Sequence, residues 1–373
     1  MGPNARLALE TILQRPTRGV PTWMLHVMDH AQIDRLAGAA PGSYERDAET
    51  TYLAMQRRAG VCLIDQYIPL NPLTMGRRGF EGRERGATTG AERVELDGVP
   101  IDSPEAVVEH LERFEFPRFR RAIADFDENE RVCEILDQER RIQACLGSNV
   151  LKSGYAFVRF PCLYYGTYGY ASYLMAYALY PEAIERHFSL QADLAVRHNG
   201  AAARAYAEGK LPPLYRLDHD MADSRGTLVD IRSLDRIWFP HFARALGPLL
   251  TTDVRLIWHC DGNLMQMVPR LLEVGIAGFQ GFQYEDGMDY ERICRMTTRR
   301  GEPLVIIAGV SVTRTLPAGT LADVRRELRW LVDKGPRTGL FLGASSSITP
   351  GVPPENLDAL VDGLRYWREH GRD

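Results

Sequence analysis

The feature that most constrains the fold of this chain is an alternation repeated to its C-terminal end. Short β-rich apolar runs are followed, again and again, by longer segments with helical spacing. Strands are expected near Thr22–His26, Val61–Asp65, Tyr155–Cys162, Pro213–Asp218, Val254–His259, Ile276–Gln280, Leu304–Gly309 and Gly339–Gly343. Several, such as VCLID, VRLIW and LVIIAG, are apolar without interruption, as parallel strands covered on both faces must be. Between them, Pro181–Gly209 reads as one long helix opened by a proline whose φ is already helical. Thr320–Lys334 opens on a Thr-x-x-Asp capping signal, and Pro354–Arg368 closes the series. Eight such βα units imply an α/β protein whose parallel sheet closes into a (β/α)8 TIM barrel. An open doubly wound sheet is the rival, but no glycine-rich phosphate loop comes after the first strand.

The chain has 373 residues, which such a barrel with insertions absorbs in one domain, expected to run over 1–373. Residues 76–150 break the rhythm, with a Gly/Arg-rich stretch (GRRGFEGRERGATTG) and then a charged helical run. They are expected to form a helical insertion over the C-terminal rim. A formal net charge of −4 offers no basic footprint for nucleic acid. The six cysteines form no CxxC pair and read as free thiols of a reducing compartment. Without a secretion signal or a membrane-spanning run, the expected location is the cytoplasm.

Chemistry in such barrels sits at the C-terminal ends of the strands. There the sequence delivers His26 and His30, Asp65, then Tyr164, Tyr165 and Tyr168. Further strands bring Asp218, His219 and Asp220, then His259 and Asp261, then Gln283 and Glu285. Four of nine histidines on one rim, among carboxylates, point to a metal or acid–base site. Side chains two apart on a strand share a face, so His259 and Asp261 point together and both can ligate zinc. The competing reading of Asp261-Gly262-Asn263 is a turn that caps the next helix.

The order and spacing of VPTWML, LIDQYIPLNP, DHDMADSRG, WHCDGNLMQMVPRLLEVGIAGFQ, QYEDGMD, LVIIAGVS and GASSSITPGVPPENLDALVDGL resemble the uroporphyrinogen decarboxylase superfamily. The resemblance implies a (β/α)8 barrel. Decarboxylases of that group carry Pro-x-Trp-x-x-Arg-x-x-x-Arg to grip tetrapyrrole propionates. Aligned on Pro21 and Trp23, the arginine places hold His26 and His30, which removes both guanidinium forks, while Asp65 falls at the pyrrole-binding aspartate. The corrinoid-linked methyltransferase branch resembles His-x-Cys after the fifth strand and a second Cys before the last helix, binding zinc. Here His259 is kept, Asp261 stands at the first Cys place, and Ser346 lies near the second.

The resemblance thus implies an enzyme that moves a methyl group from a small methylated, methoxylated aromatic substrate to a corrinoid carried by a partner protein. Zinc would be held by His259 and Asp261 together with Glu285 or Asp220, and would polarise the ether oxygen. Asp218, Asp220, His219 and Asp65 would be catalytic, and His26, His30, Tyr164, Tyr165, Tyr168 and Gln283 would contact substrate. A homodimer is entertained as the assembly. Two other readings stand beside this one. The first is a metal-dependent decarboxylase or lyase acting on a small non-porphyrin acid, with His26, His30 and Arg159 as anion contacts. The second is a non-catalytic binding protein on a degraded barrel.

Overall fold

The computed structural model describes residues 1–74 and 94–372. Eight parallel positions close into a ring in chain order. Trp23 bridges Leu63, and Leu63–Ile64 pairs with Leu151–Lys152. Gly154 bridges Tyr215 in the strand Leu214–Asp218, which pairs with Arg255–His259. The ladder continues through Gly278–Gln280, Val305–Val310 and Leu340–Ala344, and Leu342 returns to Thr22. No edge is left open, which is what a parallel sheet gains by closing.

The strands are short because the ring buries both of their faces. Val305–Val310 and Leu340–Ala344 are buried at every position. Outside the ring, Pro181–Gly209 is helical over the whole expected span and packs between Glu128–Leu146 and Phe239–Leu250. Its buried stripe is rich in alanine (Ala192, Ala195, Ala201, Ala202 and Ala205), which lets the neighbouring helices approach closely. The Thr320–Asp323 capping box is formed in both directions and starts the helix Leu321–Lys334. The last helix runs Pro354–His370, two residues past its expected end.

The third strand is displaced from its expected place. It occupies Leu151–Lys152 rather than Tyr155–Cys162, although the latter has the stronger β composition. From Tyr155 onward the backbone leaves the ladder, with Ala156 in the left-handed region (φ 67°). Its amides are satisfied by side chains instead. The Tyr215 hydroxyl accepts from the N–H groups of Phe157 and Val158, each at 2.9 Å, Asn199 Oδ1 accepts from Arg159, and Gln191 Oε1 accepts from Cys162. Side-chain partners from 29 to 58 residues away replace a neighbouring strand. The actual strand is masked in sequence by Lys152, whose ammonium is buried against Glu139 at 3.0 Å.

The first stave is similarly sparse, for Thr22 and Trp23 make single bridges rather than a ladder through His26. In the insertion, the Gly/Arg-rich stretch lies outside the described residues. Beyond it the chain forms a hairpin, Glu95–Leu96 with Val99–Pro100, and then the helices Pro104–His110 and Phe116–Ala124 joined by a π-helical turn. They lean on Tyr170–Leu179 and Pro181–Gly209, the helices that come after the C-terminal end of the third strand. Glu128–Leu146 then carries the chain back to the base of the barrel, where the third strand begins. All six cysteines are free; Cys62 and Cys260 are buried, whereas Cys133 is exposed on the outer face of Glu128–Leu146. Among the described residues no helix is long and apolar enough to cross a membrane.

Candidate functional site

At the C-terminal end of the ring two polar groups meet. The first centres on Arg216, which the strand-end pattern in the sequence does not single out. Period-two alternation puts it on the same face as Asp218, so the guanidinium enters the barrel interior, where it is 3% exposed. Its Nε donates to Asp65 Oδ2 at 2.5 Å, Nη1 donates to Asp218 Oδ2 at 2.9 Å, and Nη2 donates to Gln66 Oε1 at 2.8 Å. The cation also lies over the rings of Tyr155 (4.9 Å) and Trp23 (5.7 Å). Asp65 is 1% exposed and accepts from Trp23 Nε1 as well. The signal that could have found it is a charged residue inside the apolar strand LYRLD, which only a buried acid could compensate.

The second group is Asp220, His259 and Asp261, whose ligand atoms all lie within 4.8 Å of one another. His259 ends its strand, and Gly262 (φ 86°) turns the chain immediately after Asp261. A side chain at Gly262 would strike the Asp223 backbone at 2.6 Å, so the turn requires glycine. Gln283 Oε1 accepts from the Gly262 amide at 2.7 Å and fixes this turn. Gly281 (φ 78°) likewise leaves room for the His259 ring, because a Cβ there would sit 2.7 Å from Nδ1.

Among the described residues, two atoms of this group are buried without a hydrogen-bond partner: His259 Nδ1 and Asp261 Oδ1. Orphaned buried polar atoms are costly, and a cation is the natural partner for a set of one imidazole and two carboxylates. The residues therefore fit a metal ion. The two groups touch at Asp218, whose Oδ1 lies 3.9 Å from His259 Nε2. Desolvation pushes the Asp218 carboxyl up, but His259, Arg216 and the Tyr155 hydroxyl outweigh it and hold the group below its ordinary value. For Asp220 desolvation wins, aided by Asp261 and Asp218, and its carboxyl is raised.

The remaining expected residues are spread more widely. The His26 ring lies between the Asn71 amide (3.0 Å) and the Ser347 hydroxyl (2.9 Å), on the rim beside Arg216. His30 faces outward, bound to Glu45 and the Pro72 carbonyl at the start of the helix His30–Ala37. His219 Nε2 accepts from the Leu163 amide, so this imidazole secures the loop after the third strand. Glu285 accepts from the Ser311 and Thr313 hydroxyls and stands outside the Asp220–His259–Asp261 group. Tyr165 stacks on His219 and donates to the Asp220 carbonyl. Tyr168 is buried between His110 and Tyr173, whereas Tyr164 lines a cavity beside Asp218. Ser346, at the second cysteine place of the resemblance, reaches Asp261 Oδ2 at 3.3 Å.

Residues 165–367 match the family described as uroporphyrinogen decarboxylase (URO-D). The chain belongs to that family. None of the curated proteins matches it. Among solved structures, a methyltransferase from Methanosarcina mazei superposes with a TM-score of 0.60 at 16% identity, over 98% of each chain. That likeness extends the shared fold over the first half of the chain, which the family match does not reach.

Burial in this family member also sets a pH response. It lowers His26, His198 and His219 to about 4 and His187 to about 3, against an ordinary value near 6.5. The folded chain keeps these rings neutral while the unfolded chain takes up protons below about pH 6.5. Stability is therefore complete above that value and falls as pH drops from about 6.5 toward 4. Urea midpoints measured at pH 7, 5.5 and 4.5 should decrease steadily. A midpoint that stayed level over this interval would show that these rings titrate normally in the fold.

Proposed function

We propose that this chain takes a methyl group from a small methoxylated aromatic and passes it to a reduced corrinoid on a partner protein. The observation that carries the reading is the Asp220–His259–Asp261 group, an oxygen- and nitrogen-donor set where the methyltransferase resemblance has sulfur. Oxygen donors suit a hard, oxygen-bearing substrate better than a thiol. Support comes from the neighbour's name, a methyltransferase, and from the arginine places of the decarboxylase signature. His26 there is neutral and His30 is tied to Glu45 and Pro72, so neither grips a propionate.

Asp220, His259 and Asp261 would hold a zinc-like ion, which supplies Lewis-acid polarisation of the ether oxygen when bound. Asp218, whose carboxyl is held below its ordinary value by His259 and Arg216, lines the approach beside the His259 ring. Tyr155 donates its hydroxyl proton to Asp218 Oδ2 at 3.1 Å and accepts from Gln66 at 2.8 Å, which ties the site to the Arg216 network. Tyr164 gives the substrate an aromatic wall. His219, Tyr165 and Gln283 hold the loops that carry the site.

The test mixes purified protein with a reduced corrinoid protein and a methoxylated aromatic. Corrinoid absorbance should change only with all three present, and uroporphyrinogen in the same preparation should remain untouched. Turnover of uroporphyrinogen, or CO2 release from a small acid without corrinoid, would move the assignment to a lyase.

A further inference from the structure

Beside Asp218 lies a cavity of about 410 Å3, within the roughly 300–1,000 Å3 usual for small-molecule sites. Its walls include Phe119, Tyr155, Phe160 and Tyr164, and two of its charges are Asp218 and Arg216. These two charges are already partnered with each other, and Arg216 is further neutralised by Asp65. The third charge is Arg159. Its backbone is fastened to Asn199 on the helix Pro181–Gly209, through the N–H at 2.9 Å and the carbonyl at 2.8 Å. Its guanidinium has no ion pair or hydrogen bond among the described residues, and its field reaches Cys162, Tyr164 and His198. His198, the remaining titratable base of the cavity, is lowered to about 4 by burial and by Arg131 and Arg159, and is neutral at pH 7.

The solvent-exposed Arg159 thus brings to the cavity one positive charge without a counter-ion among the described residues, on a fixed backbone, beside aromatic walls and the Asp218 carboxylate, which lies 3.9 Å from His259. From this juxtaposition we infer that Arg159 is a specificity-determining residue that selects substrates bearing a carboxylate on an aromatic ring. A carboxylate pairs with a guanidinium through two parallel hydrogen bonds, which fixes the ring direction as well as adding affinity. The ring would lie among Phe119, Tyr155, Phe160 and Tyr164, with its methoxy end toward Asp218. This assignment rests on the methyl-transfer reading above and narrows it to anionic aryl ethers.

The test is a calorimetric titration of the full-length protein with 4-methoxybenzoate and with neutral 4-methoxybenzyl alcohol, which differ in charge and little in size. The acid should bind on the order of tenfold more tightly. Arg159→Gln should remove that preference and leave alcohol binding unchanged, while Arg159→Lys, which keeps the charge without the fork, should retain part of it. Equal affinities in the wild type, no binding of either compound, or a preference that survives Arg159→Gln would overturn the inference. Should the acid preference hold while no methyl reaches the corrinoid, the methyl-transfer reading fails and the anion site stands. Methyl transfer from the alcohol at the same KM as from the acid would instead sink the anion site and leave the reaction.

Discussion

His259→Ala should strip the protein of its metal and of its methyl-transfer activity while the barrel remains folded. The His259 ring lies at a strand end, and its Nδ1 has no hydrogen-bond partner among the described residues. Its removal therefore breaks no network that holds two elements together. It leaves two carboxylates, Asp220 and Asp261, that cannot alone make a compact site for a borderline-soft ion. Loss of a ligand should exceed the roughly 10–100-fold drop in metal affinity that loss of a mere supporting partner causes. Stability should change by no more than about 1–2 kcal/mol, the ordinary range for a substitution that opens no large cavity. Elemental analysis of protein loaded with zinc and then dialysed reads the first effect, and urea unfolding reads the second. Unchanged metal content would remove His259 from the site. A collapse of stability would mean that the ring is a packing residue.

The second large effect is expected at Arg216. Arg216→Met leaves the Asp65 carboxylate, 1% exposed, with Trp23 Nε1 and the Gln66 amide as its remaining donors among the described residues. Breaking one side of a buried ion pair costs about 3–5 kcal/mol, because the remaining charge stays out of water. Urea unfolding should therefore show a loss of that order for Arg216→Met. Removing the acid as well, in Arg216→Met/Asp65→Leu, should recover most of it, since an apolar pair of similar volume carries no desolvation penalty. Asp218 should also lose part of its stabilisation as an anion, so the acidic limb of any pH–rate profile should move upward in Arg216→Met. A single variant that cost under about 1 kcal/mol would mean that Asp65 is not charged in the fold. A double variant as unstable as the single would mean that the aspartate holds the strand by hydrogen bonds alone.

Much of this architecture is written locally. Hydrophobic runs with period two and segments with period 3.6 need no knowledge of distant contacts, so seven of the eight ring positions lie within or across their expected segments. The long helix Pro181–Gly209 and the Thr320 cap are legible for the same reason: a proline at the start, and a hydroxyl with an acid three residues on, act on their own backbone. The pair His259–Asp261 comes from strand alternation, and the two side chains do meet in one group with Asp220.

Other features depend on ring closure, and local pattern is silent about it. Whether Tyr155–Cys162 joins a ladder is decided by Tyr215, Asn199 and Gln191, residues that arrive from elements formed far along the chain. Arg216 and Asp65 are 151 positions apart, and only the barrel sets strand two and strand four on either side of the third strand so that both side chains enter one small interior. His30 and Glu285 have the right chemistry at the right strand ends. Their neighbours Glu45 and Ser311 take them up, because a side chain past a strand end is free to turn and pairs with whichever group packing brings nearest. Sequence alone determined seven of the eight strand segments, the long helices and most of the residues that stand on the rim. The tertiary structure decided which of those rim residues share a site, since partners and burial exist only once the ring has closed.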